Sequence, residues 1–553
     1  MHRFRILLLL SVSALYAGTG FFAERWVPRS TPHLLNTQIQ EAPSSPPDVS
    51  FSVSFLDPVA KVLPTVFGNN INPWLGEALL TDNNYGLEHL RQAGITNMRI
   101  PGGNWSNNWL WDGTAHWNFK DHYLDSVSGA PNKTWPLLTD DLYSLANSSN
   151  AELQICVNFS LSRFIDSPKA LEQAAHYAAN WVRKVNDTLG LNVRYWEVGN
   201  ENYGPWQTGW IVNGDTLNGD EYGIGFGVFA DSMKAADPTI KVGAVALERD
   251  NGNNSGGYRW WMKKMLPLIQ DKADYLVYHE YFTWAPDINT VTTNEVLEGL
   301  SLIKNAKDSI EAMVARYTNK PKNHFPIAFT EYNVRAGTKT NQFVSAVFLA
   351  MALGEFVRHD IGLANLWGVV DGYDAVEGDM GMLSRKEPSL KDYTPHPSFY
   401  VFMLYDKMFG DELITSAPEE QNGVRLYASK FSSGELSIVL INKTNSARTV
   451  NLQLQGFTND GYAYGYSLQA ASPTAAKLSL NGQVGTNYGP LNYASIPAWK
   501  QVINDTPQFS APAWSVQFIL LKPKGGSTTI VNKKNSAPLF NRTRFFDLLG
   551  RKH

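Results

Sequence analysis

Arg194-Tyr-Trp-Glu-Val-Gly-Asn-Glu-Asn-Tyr-Gly-Pro-Trp-Gln-Thr-Gly209 runs from a β-branched and aromatic stretch into a glycine, an amide and a carboxylate. A short buried strand that ends in Gly199, Asn200 and Glu201 places reactive side chains where a barrel strand ends, the face on which (β/α)8 enzymes keep their sites. The same residue types also cap helix N-termini, so this stretch alone leaves both readings open. Working outward, strand-like runs recur at Thr96 to Ile100, Leu153 to Asn158, Lys241 to Val245, Tyr275 to Tyr278, Ile327 to Thr330 and Ala364 to Trp367, with another around Gly68 to Ile71. Helical patterns such as Pro168 to Val185, Gly225 to Ala236 and Val344 to Arg358 separate them. Strands and helices that alternate in this way predict an α/β fold, a (β/α)8 TIM barrel over residues 67–410. An open doubly wound sheet is the competing architecture, but no Gly-rich phosphate turn follows the first strand.

A second carboxylate closes the run Ile327-Ala-Phe-Thr-Glu331-Tyr-Asn333. Two glutamates at the ends of two strands of one barrel match what glycosidic cleavage needs: an acid for the leaving oxygen and a carboxylate opposite the anomeric carbon. Glu197 precedes Glu201 within the same strand and reads as a group that orients other side chains.

Around this pair stand Gly199-Asn200-Glu201, Gly204-Pro205-Trp206-Gln207, Arg99-Ile100-Pro101-Gly102-Gly103-Asn104, Gln154-Ile155-Cys156-Val157-Asn158 and His279-Glu280-Tyr281. Together they resemble glycoside hydrolase clan A, most nearly family 51, which holds α-L-arabinofuranosidases and some endoglucanases. The resemblance spans roughly residues 60–410 and extends to a C-terminal β-sandwich. It implies that Glu201 is the acid/base and Glu331 the nucleophile, with Asn200 on the sugar 2-hydroxyl and Arg99 beside the nucleophile. It also implies that Tyr281 donates to the nucleophile, and that His279 and Asn104 contact sugar. Such an arrangement is physically coherent, because a guanidinium favours an ionised Glu331 while an acid held away from cations keeps its proton. Asn104-Trp105-Ser106 is also a glycosylation sequon. At Trp367 the arabinofuranosidases typically carry a polar residue, and a flat indole there favours stacking on a pyranose. Trp206 and Trp284 are further candidates for the cleft wall; Trp105 and Trp109 are candidates for stacking or for packing.

The 553 residues carry a formal net charge of -4, which gives no reason to expect nucleic acid as a partner. The partner expected is a carbohydrate substrate, with no metal or organic cofactor, since His-Glu-x-x-His spacing is absent. Met1 to Arg5 and the apolar run Ile6 to Ala17 read as an export signal or signal-anchor over 1–20, with no stable membrane partner if it is cleaved. A Pro/Ser-rich spacer follows over 21–48, then N-terminal strands over 49–66 that pack on the β-sandwich. After the barrel, period-two strands over 411–524 read as that sandwich, and 525–553 as a basic tail. One cysteine, Cys156, excludes an intrachain disulfide. The rivals to an arabinofuranosidase-like enzyme are an endo-acting β-glucanase, a xylosidase, a uronidase or an agarase-like enzyme. Outside catalysis the rival is an inactive glycan-binding barrel.

Overall fold

The computed structural model describes residues 20–32, 34, 37–75, 86–120, 137–250, 260–283, 285–484 and 496–525. The expected leader core, Trp284 and all of the tail beyond residue 525 lie outside them.

Eight parallel strands close a barrel in chain order: β1 Gly68–Asn70, β2 Asn97–Ile100, β3 Glu152–Val157, β4 Tyr195–Val198, β5 Lys241–Val245, β6 Tyr275–Tyr281, β7 Ile327–Asn333 and β8 Leu363–Leu366. The strands are buried on both faces, as closure under a ring of helices requires. β6 and β7 run three residues beyond the apolar runs that mark them in the sequence, and their pairing shifts register between Tyr278 and His279. Such an irregularity re-aims side chains at a barrel rim.

The helix Gly219–Ala236 starts six residues before its apolar pattern does. Asn218 caps it, accepting from the N–H groups of Asp220 and Glu221, and Glu221 reciprocates. Its glycines obscure the pattern, but packing uses them. A Cβ on Gly225 would come within 2.7 Å of Phe159, and one on Gly223 within 3.0 Å of Leu268.

The second domain is one hydrogen-bonded sheet of 13 strands that folds over its own apolar core. Both ends of the chain build it: the strand Val49–Lys61 pairs parallel with Arg448–Gln455 and antiparallel with Glu412–Ala417. The barrel is thereby inserted between strands of one sheet. Tyr405 packs edge-on against Phe518 across the interface, and Tyr427 donates to Glu355 (2.7 Å).

The stretch read as a spacer is more than a tether. Phe22 is buried on the barrel floor against Tyr195 and Tyr275, at the end opposite the strand C-termini. Arg25 pairs with Glu152, and Thr37–Ile39 adds a strand beside Ala498–Val502. Composition marks this stretch as polar and Pro-rich, whereas these contacts depend on residues far along the chain. Among the described residues, no helix is long and apolar enough to cross a membrane.

Candidate active site

Arg99 on β2 organises the mouth of the barrel. It is fully buried, and each of its nitrogens is engaged: Nε donates to Glu197 (3.0 Å), Nη1 to Asn70 (2.9 Å) and Glu331 (2.8 Å), Nη2 to Asn200 (2.8 Å). Gln154 donates to the other Glu197 oxygen (2.6 Å). Two carboxylates and two amides therefore satisfy a guanidinium that would otherwise be prohibitively costly to bury. Glu331, in β7, also accepts from the Tyr281 hydroxyl (3.1 Å). Burial, followed by the charge of Glu331, holds that phenol well above its usual range, so Tyr281 stays protonated as a donor.

Glu201 lies just past β4 with φ of 43°, a left-handed conformation that is unusual for a glutamate. The turn is braced around it. Asn107 donates to the Asn200 carbonyl (2.7 Å) and to Gln207 (2.7 Å), and Gln207 donates on to Glu201 (2.9 Å). Trp206 Nε1 donates to the same Glu201 oxygen (2.6 Å), its ring folded back over Gly204, where a Cβ would lie 2.5 Å from it. The Trp206 indole is otherwise half exposed.

His279 joins the two carboxylates. Its Nδ1 lies 3.0 Å from Glu201 and 3.5 Å from Glu331, while Nε2 lies 3.1 Å from the Thr330 hydroxyl. Burial opposes charge on His279, but Glu331 and Glu201 outweigh it and raise its pKa. Burial likewise opposes charge on Glu201, yet the hydrogen bonds from His279, Trp206 and Gln207 hold its carboxyl below the usual range. The sequence reading placed the acid away from cations with its own proton. The geometry instead pairs Glu201 with His279, and the two shifts run in opposite directions, the histidine's up and the carboxyl's down. Glu201, His279 and Glu331 each offer an atom within 4.8 Å of the others.

The remaining expected residues fall into different settings. The Asn200 amide is held at both ends, its oxygen by Arg99 and its nitrogen by Gln207 (3.2 Å). Asn104 accepts from the backbone N–H of Thr208 (2.8 Å), which joins two loops of the mouth. Trp367 lies against Gly103, where a Cβ would meet its ring at 2.5 Å, and beside Trp74 at 5.8 Å. Trp105 continues this wall 5.3 Å from Trp74, while Trp109 is buried and donates to Thr139 (3.1 Å), a packing residue.

Asn70, Gln154, Thr330, Trp74 and Asp371 belong to the same mouth, and the sequence assigns none of them a site role, although Gln154 and Thr330 stand in the runs quoted above. Asn70 ends a strand of three residues, too short to show a period, and Trp74 lies in the turn that follows it. Asp371 stands among the turn-type acids Asp374, Glu377 and Asp379, and only its place after the eighth strand sets it apart.

No family model matches the chain. An intracellular exo-α-(1→5)-L-arabinofuranosidase of Streptomyces lividans is 24% identical over 277 residues, 47% of this chain and 39% of that protein. The chain spans less than half the length of the first two curated relatives it matches. Among solved structures, a family 51 α-L-arabinofuranosidase from Thermotoga petrophila matches with a TM-score of 0.62 at 19% identity, over 86% of this chain and 100% of that one. A family 44 endoglucanase from Clostridium thermocellum matches with a TM-score of 0.57 at 16% identity, over 86% and 99%. The chain's curated homologues are thus arabinofuranosidases, and its fold is the barrel with β-sandwich of these glycoside hydrolases.

Proposed function

We propose that this protein is a retaining glycoside hydrolase, arabinofuranosidase-like in its chemistry, with Glu331 as nucleophile and Glu201 as general acid/base. One observation carries the reading: a Glu201 oxygen and a Glu331 oxygen lie within 4.8 Å of each other across the barrel mouth. Retaining enzymes hold their carboxyl groups about 5 to 5.5 Å apart, and inverting ones roughly 6.5 to 9.5 Å, to admit a water. Arg99 and Tyr281 hold Glu331 by hydrogen bonds and aim it at the anomeric carbon. Glu201 protonates the leaving oxygen, drawing on the proton it shares with His279, and when water attacks it takes a proton from that water and passes it back to His279. The Asn200 amide nitrogen keeps one hydrogen for a sugar hydroxyl. Trp206, on Glu201, and Trp367, beside Trp74, are the indoles offered to the sugar.

An endo-acting β-glucanase is the second reading, and the indole wall of Trp74, Trp105 and Trp367 favours it, because flat rings match pyranose faces. Export rests on the basic start and apolar run of residues 1–17, although the Streptomyces relative is named as an intracellular enzyme.

A panel of nitrophenyl glycosides tests the proposal. At least one should release nitrophenol, with an alkaline limb above about pH 6.5, the ordinary histidine value, because His279 is held protonated above it. His279→Gln should move the alkaline limb, because the titration then belongs to Glu201 without the hydrogen bond and charge of His279. Release from no member of the panel would refute the function, and an unmoved limb would refute the shared proton.

A further inference from the structure

The two oxygens of Glu201 face different chemistry. Oε2 accepts from Trp206 Nε1 (2.6 Å) and from the Gln207 side chain (2.9 Å), while Oε1 lies 3.0 Å from His279 Nδ1 and accepts from the Tyr203 hydroxyl (3.4 Å). Across the mouth stands Glu331, with oxygens of the two carboxylates within 4.8 Å. An indole N–H only donates, but an amide can turn either end to a carboxylate, so the character of Oε2 depends on which way Gln207 points.

Two separate chains of hydrogen bonds decide that. The first starts at the backbone of Asn200, whose carbonyl can only accept and whose N–H can only donate. Asn107 meets the carbonyl with its amide nitrogen (2.7 Å) and the N–H with its oxygen (3.3 Å), which fixes its own orientation. The same nitrogen reaches Gln207 (2.7 Å), and the atom it meets must therefore be the oxygen. The second chain starts at Arg99, which can only donate. It holds the side-chain oxygen of Asn200 (2.8 Å), so the Asn200 nitrogen turns to the same Gln207 oxygen (3.2 Å). Both chains leave the Gln207 nitrogen facing Glu201. All three amides are buried, which keeps water from reversing this order.

A carboxylate oxygen offers about two lone-pair directions, and at Oε2 both meet N–H donors. Building on the proposed glycosidase function, we infer that Gln207 is a positioning residue for the acid: it reserves Oε2 of Glu201 as an acceptor and so confines the catalytic proton to Oε1, on the side of His279. The proton given to the leaving oxygen departs from Oε1, and the one taken from the attacking water returns to it.

Gln207→Glu tests this, because it keeps the shape and the oxygen that Asn107 and Asn200 grip but puts an oxygen where the N–H donor stands. Oε2 of Glu201 then shares a proton with the introduced carboxyl, and the acid becomes weaker. For an alkyl glycoside, a poor leaving group, kcat/KM should fall by about 10^2-fold, and for the dinitrophenyl glycoside by less than about threefold. The alkaline limb should move up by about one pH unit or more. Gln207→Met, which removes the donor without adding a carboxyl, should show the same dependence on leaving group. A merely structural residue would depress both substrates alike, so equal losses in the folded variants, or a limb that Gln207→Glu leaves in place, would overturn the inference. Neutron diffraction from the wild-type protein decides the matter without substitution or substrate, should the variants fail to fold. A deuteron between Oε1 and His279 Nδ1, with N–D bonds from Trp206 and Gln207 to Oε2, is the expected result; a deuteron on Oε2, or the Gln207 oxygen turned to it, would overturn the inference. Hydrolysis of no glycoside would instead remove the glycosidase reading, while the neutron map would still show which oxygen of Glu201 takes the proton.

Discussion

Glu331→Ala lowers kcat/KM by about 10^5-fold or more on every substrate, because it removes the atom that attacks. An oriented intramolecular nucleophile is worth an effective concentration of about 10^5 to 10^8 M, and five decades of rate correspond to roughly 7 kcal/mol of barrier. The fold should survive, since Arg99 keeps Glu197, Asn70 and Asn200 as partners after Glu331 is gone. Glu331→Gln is the control, as it preserves shape and a hydrogen-bond acceptor while removing nucleophilicity. Steady-state kinetics beside a thermal melt check both variants. Loss of no more than tenfold in a folded Glu331→Ala protein would mean that another group attacks.

Glu201→Ala has an effect that depends on the leaving group. Natural glycosides depart as poor leaving groups and need a proton, so their hydrolysis should fall by about 10^2 to 10^4-fold. A dinitrophenyl glycoside departs without help, and its bond-breaking step should slow less than tenfold. The variant also loses the partner of His279 Nδ1 and the acceptor for Trp206 and Gln207, which leaves those donors to water at the open mouth. Pre-steady-state release of dinitrophenol isolates the first step from the second, in which Glu201 acts as base. Equal losses on both substrate types would remove Glu201 from the acid role.

What sequence made legible and what it hid follow from the range of the interactions. Strand identity is local, so β4 and β7 are readable from Tyr195 to Val198 and from Ile327 to Thr330, and the glutamates at their ends stand out by position. Roles that depend on neighbours across the barrel are not local. His279 touches Glu201 and Thr330, which lie on two other segments, and nothing in His279-Glu280-Tyr281 announces a proton shared with an acid. The bond from Thr208 to Asn104 is hidden for the same reason, because it comes from another loop. Phe21 and Phe22 read as an extension of an apolar leader until Tyr195 and Tyr275 are seen beneath them on the barrel floor. Asp371 was hidden by company, since three other acids in the same loop make ordinary turn contacts or ion pairs.

The stereochemistry of the first-formed product tests the carboxylate pair most directly, whatever the natural sugar proves to be. Oxygens of Glu201 and Glu331 within 4.8 Å fit the shorter separation of a retaining pair, in which no water sits between the carboxyl groups. Displacement by Glu331 and then by water inverts the anomeric carbon twice. Proton NMR of the product, recorded before mutarotation, should show the anomeric configuration of the substrate. An initial product of opposite configuration would contradict double displacement and the role of Glu331 as nucleophile.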